Sequence, residues 1–309
     1  MEKIKIGTRG SKLALYQANR LKSELEIQFP DIDFEIVIIK TKGDKILDVA
    51  LSKIGDKGLF TKEIENSLLG SQIDMAVHSL KDLPTVLPEG LKLGAVLKRG
   101  EFRDALVSLT GKKLIDLSEK DVIATSSLRR KAQLLKLNPN FNIIDIRGNV
   151  NTRIEKMKNG YCTAMIMAAA GLQRLNMDEY ISEVLDKDKI IPAVSQGIIA
   201  IESRLNDERI EPYLQRINDK QSYLAALAER KFLNVLEGGC QIPVGCYTDF
   251  ENDRFYIKGF ISKPDGTDYI SGSLSGKKED AVQIAEQLAK SFLEKGALKI
   301  VEFIRKFEG

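Results

Sequence analysis

Residues able to grip an anion cluster in Val122–Arg153. A short apolar strand, Val122–Ala124, runs into Thr125-Ser126-Ser127, hydroxyl residues of the kind that cap a helix, and that helix opens on Arg129 and Arg130. After Pro139 a second strand, Ile143–Ile146, ends at Arg147-Gly148-Asn149, and the next helix carries Arg153 one turn in. Free helix N-termini favour negative charge, and guanidinium forks bind carboxylates or phosphates in a bidentate way. Arginine at a helix N-terminus opposes the helix dipole, a cost that makes sense if an anion is expected there. Taken singly, Arg129 or Arg153 reads as a solvated helix start; four arginines at two adjacent junctions read as an anion site. A second constellation, His78-Ser79-Leu80-Lys81-Asp82, ends the apolar run Ile73–Val77 and sets a carboxylate beside an ammonium. Residue types leave it evenly balanced between a catalytic pair and a surface ion pair of little energetic worth. A third, Gly238-Gly239-Cys240-Gln241-Ile242-Pro243, puts a thiol on a loop with little bulk around it, where accessibility and nearby positive charge make cysteine reactive.

The elements that must position these groups follow from hydrophobic periodicity. Lys3–Ile6 is a strand, Gly7-Thr8-Arg9-Gly10-Ser11 a loop, and the next helix carries Ala14, Ala18, Leu21 and Leu25 on one face until Pro30. Phe34–Ile39 is almost continuously apolar, as in a strand buried on both faces of a parallel α/β sheet, whose ligands sit at the carboxyl ends of its strands. Residues 40–58 are rich in glycine and lysine and read as a mobile basic loop, although for most of those lysines a plain surface loop is the simpler reading. Further segments follow the same rules: a helix over Leu59–Leu69, strands at Leu91–Leu97, Thr163–Met167 and Ile198–Glu202, a helix over Tyr223–Leu236, strands near Phe255–Ile261 and Tyr269–Leu274, and a last helix from about Lys278. Lys98–Asp104 reads as a polar hinge. With Ile190–Gly197 as a second crossing, this predicts a domain inserted in another, with a cleft where ligands commonly bind. The expected division is 1–98 with 198–217, then 103–192, then a small α+β domain over 220–309, with hinges near 98–103 and 192–198.

Composition narrows the classes. The chain has 309 residues and a net charge of only +3, so its basic patches are local and do not make a nucleic-acid-binding signature. No apolar run approaches a membrane span, and the start lacks a signal-peptide core. Three cysteines do not make a disulfide framework, which points to the cytosol, and a single histidine excludes a histidine-rich metal site. A cysteine hydrolase would need His78 as base and has no evident orienting residue.

The blocks GTRGSKLALYQA, KTKGD, KIGDKGLFTKEIE, AVHSLKDLP, TSSLRR, IRGNVNTR, AAAGLQRL, IPAVSQG and GGCQIPVG, in this order from Gly7 to Gly245, resemble the porphobilinogen deaminase (hydroxymethylbilane synthase) family. The resemblance implies two periplasmic-binding-protein-like α/β domains with an interdomain cleft, plus a small α+β third domain. It implies a cytoplasmic, monomeric transferase of tetrapyrrole (haem) biosynthesis, with no nucleic-acid or membrane partner. Its dipyrromethane cofactor would be attached through a thioether to Cys240. Four porphobilinogen molecules would be joined to it head to tail, each losing ammonia, before hydroxymethylbilane is released. Every ring brings an acetate and a propionate, which suits a local excess of cations. By motif position Arg9, Ser11, Lys81, Thr125, Ser127, Arg129, Arg130, Arg147 and Arg153 match the family's carboxylate ligands. Arg174 matches a position near the substrate side chains, Lys53 and Lys57 match the covering loop, and Asp82 matches the catalytic carboxylate. The main alternative is a two-domain anion-binding protein without catalysis, which would have no use for Cys240 or for Lys81-Asp82.

Overall fold

The computed structural model describes residues 3–45, 58–236 and 242–308. In chain order, β1 (Lys3–Thr8) leads into α1 (Lys12–Gln28) and β2 (Asp33–Ile38). α1 starts where the Ser11 hydroxyl accepts the Ala14 N–H at 3.3 Å, buries Ala18, Leu21 and Leu25, and stops before Pro30. A single turn, α2 (Lys42–Lys45), and α3 (Lys62–Leu69) precede β3 (Met75–Ser79) and β4 (Leu91–Val96). The helix expected from Leu59 begins only at Lys62, because Gly58 holds a positive-φ turn. Next come β5 (Asp104–Ser108), β6 (Val122–Ala124), α4 (Leu128–Leu137), β7 (Asn142–Ile144), α5 (Val150–Lys158), β8 (Ala164–Ala168), α6 (Ala169–Gln173) and β9 (Ile181–Val184). The chain continues through β10 (Ile199–Arg204), α7 (Glu211–Ile217) and α8 (Lys220–Val235). It closes with β11 (Val244–Glu251), β12 (Arg254–Ile261), β13 (Ile270–Lys277), α9 (Ala281–Glu294) and α10 (Ala297–Glu308).

The described residues cluster into two units. One comprises 3–45, 58–100 and 197–223, the other 101–196, 224–236 and 242–308. The first holds a five-stranded sheet in the order β2-β1-β3-β10-β4. β1 runs parallel to β2 and β3, while β10 is antiparallel to both β3 and β4. Its core is Ile4, Ile6, Leu21, Leu25, Phe34, Met75 and Val77 on one side and Ile64, Leu68 and Ile73 on the other.

The second unit holds a five-stranded sheet in the order β7-β6-β8-β5-β9, again with one strand, β5, antiparallel to both neighbours. The two sheets therefore share one topology. Both are mixed where a parallel sheet was expected, because β5 and β10 each follow a passage from one unit to the other, which imposes no parallel βα crossover. The same unit contains a three-stranded antiparallel sheet, β11-β12-β13, whose apolar face packs on α9 and α10 around Phe232, Phe255, Ile257, Leu288 and Phe292. The last segment is two helices, not one, with the break at Gly296. Two mixed α/β sheets of the same strand order and a small α+β element make up the fold.

Candidate active site

In the second unit, the junction β6–α4 is tied to the end of β7. The Thr125 N–H donates to the Ile144 carbonyl at 2.8 Å. The Ser126 hydroxyl donates to the Ile146 carbonyl (2.7 Å) and accepts the Ile146 N–H (2.9 Å). Ser127 is the N-cap residue of α4, yet its hydroxyl makes no capping bond. Asn149 caps α5 by accepting the Thr152 N–H at 2.9 Å. The Arg153 Nε donates to the Gly148 carbonyl at 2.8 Å, so this guanidinium is folded back over the turn that carries Arg147. Arg147, Arg153 and Arg174 are half-buried.

Arg129 and Arg130 are buried, with 5% and 7% of their surface exposed, and both meet Asp104, which is wholly buried at the start of β5. Arg130 donates to Asp104 Oδ1 from Nε (3.1 Å) and Nη2 (2.7 Å), and Arg129 Nη1 lies 2.8 Å from Oδ2. Burial works to raise the Asp104 pKa, but the two guanidinium charges and their hydrogen bonds outweigh it and hold the carboxyl well below the usual range. The expectation of two arginines awaiting an outside anion is thus changed: an internal carboxylate already meets them. Two positive charges against one negative leave an excess of +1, and a guanidinium has five N–H donors, so capacity for a ligand carboxylate remains.

In the first unit the candidate residues lie at the ends of β1 and β3. Arg9 is also engaged: it pairs with Asp44 (Nη2–Oδ1 2.5 Å) and stacks its guanidinium 4.1 Å from the Phe60 ring centroid. Burial works to raise the Asp44 pKa, but bonds from Arg9 and Thr41 hold it below its ordinary value. Lys81 and Asp82 share a short 3-10 turn, Leu80–Asp82, pinned where the Leu80 N–H donates to the Ile198 carbonyl at 3.0 Å. The Asp82 carboxylate is exposed and, among the described residues, forms no hydrogen bond or ion pair. The surface ion pair that competed with a chemical role is therefore not made. Within β3 itself, the only histidine, His78, is buried, with Nε2 3.1 Å from Glu202 Oε2.

Lys53, Lys57 and Cys240 lie outside the described residues. The chain is described again from Ile242, which sits in the core under the small sheet. Sequence reasoning missed Asp104, which it assigned to a polar hinge, and Gln196, whose Nε2 donates to Asp104 Oδ1 at 2.9 Å. It also missed Asp44 and the tie made by Ser126. Gln196 and Asp44 stand inside recognisable blocks; Asp104 carries no local signal.

A profile described as porphobilinogen deaminase, dipyromethane cofactor binding domain, matches residues 4–212, and one for the C-terminal domain of porphobilinogen deaminase matches 223–294. The chain belongs to the porphobilinogen deaminase family. It is 48% identical over 306 residues to a porphobilinogen deaminase of Syntrophomonas wolfei, covering 99% of this chain and 100% of that one. It is 48% identical to the enzyme of Carboxydothermus hydrogenoformans, with 99% and 98% covered. A putative methionine-binding lipoprotein of Bacillus subtilis aligns over 72% of this chain and 92% of its own with 12% identity and a TM-score of 0.45. As a porphobilinogen deaminase the chain is a transferase of tetrapyrrole biosynthesis that condenses porphobilinogen with loss of ammonia on a thioether-linked dipyrromethane cofactor.

The described residues fit that cofactor. Its side chains are carboxylates, and the donor set at β6–α4 is cationic and hydroxyl-rich, with one buried positive charge in excess. Gly245, five residues after Cys240, packs so closely that a Cβ there would come 2.5 Å from the Pro192 carbonyl oxygen and 3.1 Å from Arg129 Cδ. The start of β11, a few residues after Cys240, thus runs against Arg129.

Proposed function

We infer that Asp82 is the catalytic carboxylate, that Cys240 carries the thioether, and that the hydroxyl and basic residues bind the acetate and propionate groups. The observation that carries this reading is the Asp82 carboxylate itself, rigidly hung from β3 and uncommitted to any side chain among the described residues. When bound, dipyrromethane supplies a nucleophilic pyrrole α-carbon. Loss of ammonia from porphobilinogen leaves an electrophilic azafulvenium, and positive charge develops at pyrrole nitrogens. A carboxylate within hydrogen-bond reach of those N–H groups stabilises that charge and accepts the proton released from the α-carbon. Arg9, Ser11, Lys81, Thr125, Ser127, Arg129, Arg130, Arg147, Arg153 and Arg174 hold carboxylates, and Lys53 and Lys57 belong to the covering segment. The arginines divide by step: those on the cofactor are required for its assembly, those on the incoming ring for elongation.

Asp82→Asn keeps a hydrogen-bonding side chain and loses the charge. It is expected to fold and to bind porphobilinogen, with kcat lower by about a hundredfold or more. Near-normal single-turnover rates in the variant would remove Asp82 from this role.

The three-domain division at 1–98 with 198–217, 103–192 and 220–309 belongs to the same reading, as do a cytoplasmic monomer and the lack of a nucleic-acid partner. The net charge of +3 supports the last point. Among the described residues no helix is long and apolar enough to cross a membrane.

A further inference from the structure

We propose that Asp104 is a positioning residue: a buried carboxylate that aims Arg129 and Arg130 and sets the excess charge they offer to a ligand. The proposal rests on the reading that these arginines hold cofactor or substrate carboxylates. Asp104 itself is wholly buried, so it acts through them.

The geometry is over-determined. Arg130 spends Nε and Nη2 on Asp104 Oδ1 and Nη1 on the Ile166 carbonyl at 2.9 Å. Arg129 donates Nη1 to the Ile191 carbonyl at 2.7 Å, and the same nitrogen lies 2.8 Å from Asp104 Oδ2 as an ion pair without hydrogen-bond geometry. The Ile191 peptide is itself clamped by Gln133, which accepts its N–H at 2.7 Å and donates to its carbonyl at 3.0 Å. Gln196 then bridges Asp104 Oδ1 (2.9 Å) and the Phe102 carbonyl (2.8 Å). Arg130 is thus engaged through all three guanidinium nitrogens and Arg129 through Nη1, which sets the direction of the N–H groups that remain.

Stability gives no reason for this arrangement. A buried triad of charges is commonly no better than apolar residues of the same volume, because each ion loses its hydration. Both arginines also sit in the first turn of α4, where the helix dipole opposes them. What the triad does provide is direction and charge. Asp104 neutralises one guanidinium, so a ligand carboxylate meets an excess of one positive charge instead of two mutually repelling ones that would swing apart.

The test compares Asp104→Asn, Arg129→Lys, Arg130→Lys and the double variant Asp104→Asn/Arg130→Lys. It uses full-length protein, with melting temperature, intact mass, kcat and KM for porphobilinogen measured on each. Asp104→Asn is expected to lower kcat/KM by about tenfold to a hundredfold, mainly through KM, as misdirection of a binding group does. Arg130→Lys keeps the charge but not the paired bonds to Oδ1, and should lose a similar factor. The double variant should lose no more than the worse single one, because both changes break one linkage. A folded, cofactor-bearing Asp104→Asn with wild-type KM and kcat, or additive losses in the double variant, would overturn the proposal. If Asp104→Asn does not fold, Gln196→Met removes a bond to the same oxygen without changing charge. A several-fold rise in KM supports the proposal, and an unchanged KM overturns it. If the lysine variants themselves keep wild-type KM and elongation, the ligand reading of the arginines is wrong and the proposal falls with it. If they are impaired while Asp104→Asn is not, the proposal alone fails.

Discussion

Cys162 and Cys246 are both buried, and burial pushes the Cys162 thiol up to about 11, so it is not a nucleophile at neutral pH. The burial of both supports the proposal that Cys240 carries the thioether. Denatured enzyme should therefore give two titratable thiols per chain to an aromatic disulfide reagent, with Cys240 blocked; three would mean that Cys240 is unmodified. At this scale residue type was legible and commitment was not. Arg9, Arg129 and Arg130 were readable as cations at strand ends, but nothing local shows that Asp44 and Asp104 already meet them. Asp104 stands in the polar stretch Lys98–Asp104, and only the pairing of β5 with β8 and β9 buries it. Asp82 is the reverse case: its type and position were readable, and among the described residues its carboxylate makes no ion pair, which supports the proposed role.

The strand-to-helix junction is the element that does the positioning. Its signals are short-range, which is why α4 was readable from Thr125–Ser127 and α1 from its apolar face after the glycine-bounded loop. The strands β5, β9 and β11 were not, because their pairing is long-range and their sequences alternate weakly. Gly148 shows how much a junction depends on one residue. Its φ of +118° lies where L side chains rarely go, and a Cβ would meet Thr152 Cβ at 2.8 Å. Arg147 precedes it and Arg153 bonds its carbonyl. Gly148→Ala should cost on the order of 1–3 kcal/mol of stability and should raise KM by displacing both arginines. Calorimetry and steady-state kinetics would check this, and an unchanged melting temperature with unchanged KM would show the junction to be more tolerant than its geometry implies.

At the scale of the whole molecule, one sheet topology is used twice. β1, β2, β3, β10 and β4 have their counterparts in β6, β7, β8, β5 and β9. Arg9 and Ser11 follow β1 as Ser127, Arg129 and Arg130 follow β6, and Lys81 and Asp82 follow β3 as Arg174 follows β8 beyond α6. Carboxyl ends of strands are where such sheets bind ligands, and the repeated topology explains why the candidate residues are spread over distant blocks of sequence. No sequence repeat reveals this duplication, because hydrophobic pattern and chain direction are kept while residue identity is not.

A dipyrromethane on Cys240, extended by porphobilinogen, would change the mass of this chain. The most direct measurement is the intact mass of the denatured protein beside Cys240→Ser. An excess over the 34.5 kDa polypeptide equal to two linked pyrrole units is expected, absent from the variant, with further additions when native protein is mixed with porphobilinogen. A bare polypeptide mass that porphobilinogen does not change, or the same excess in Cys240→Ser, would contradict it.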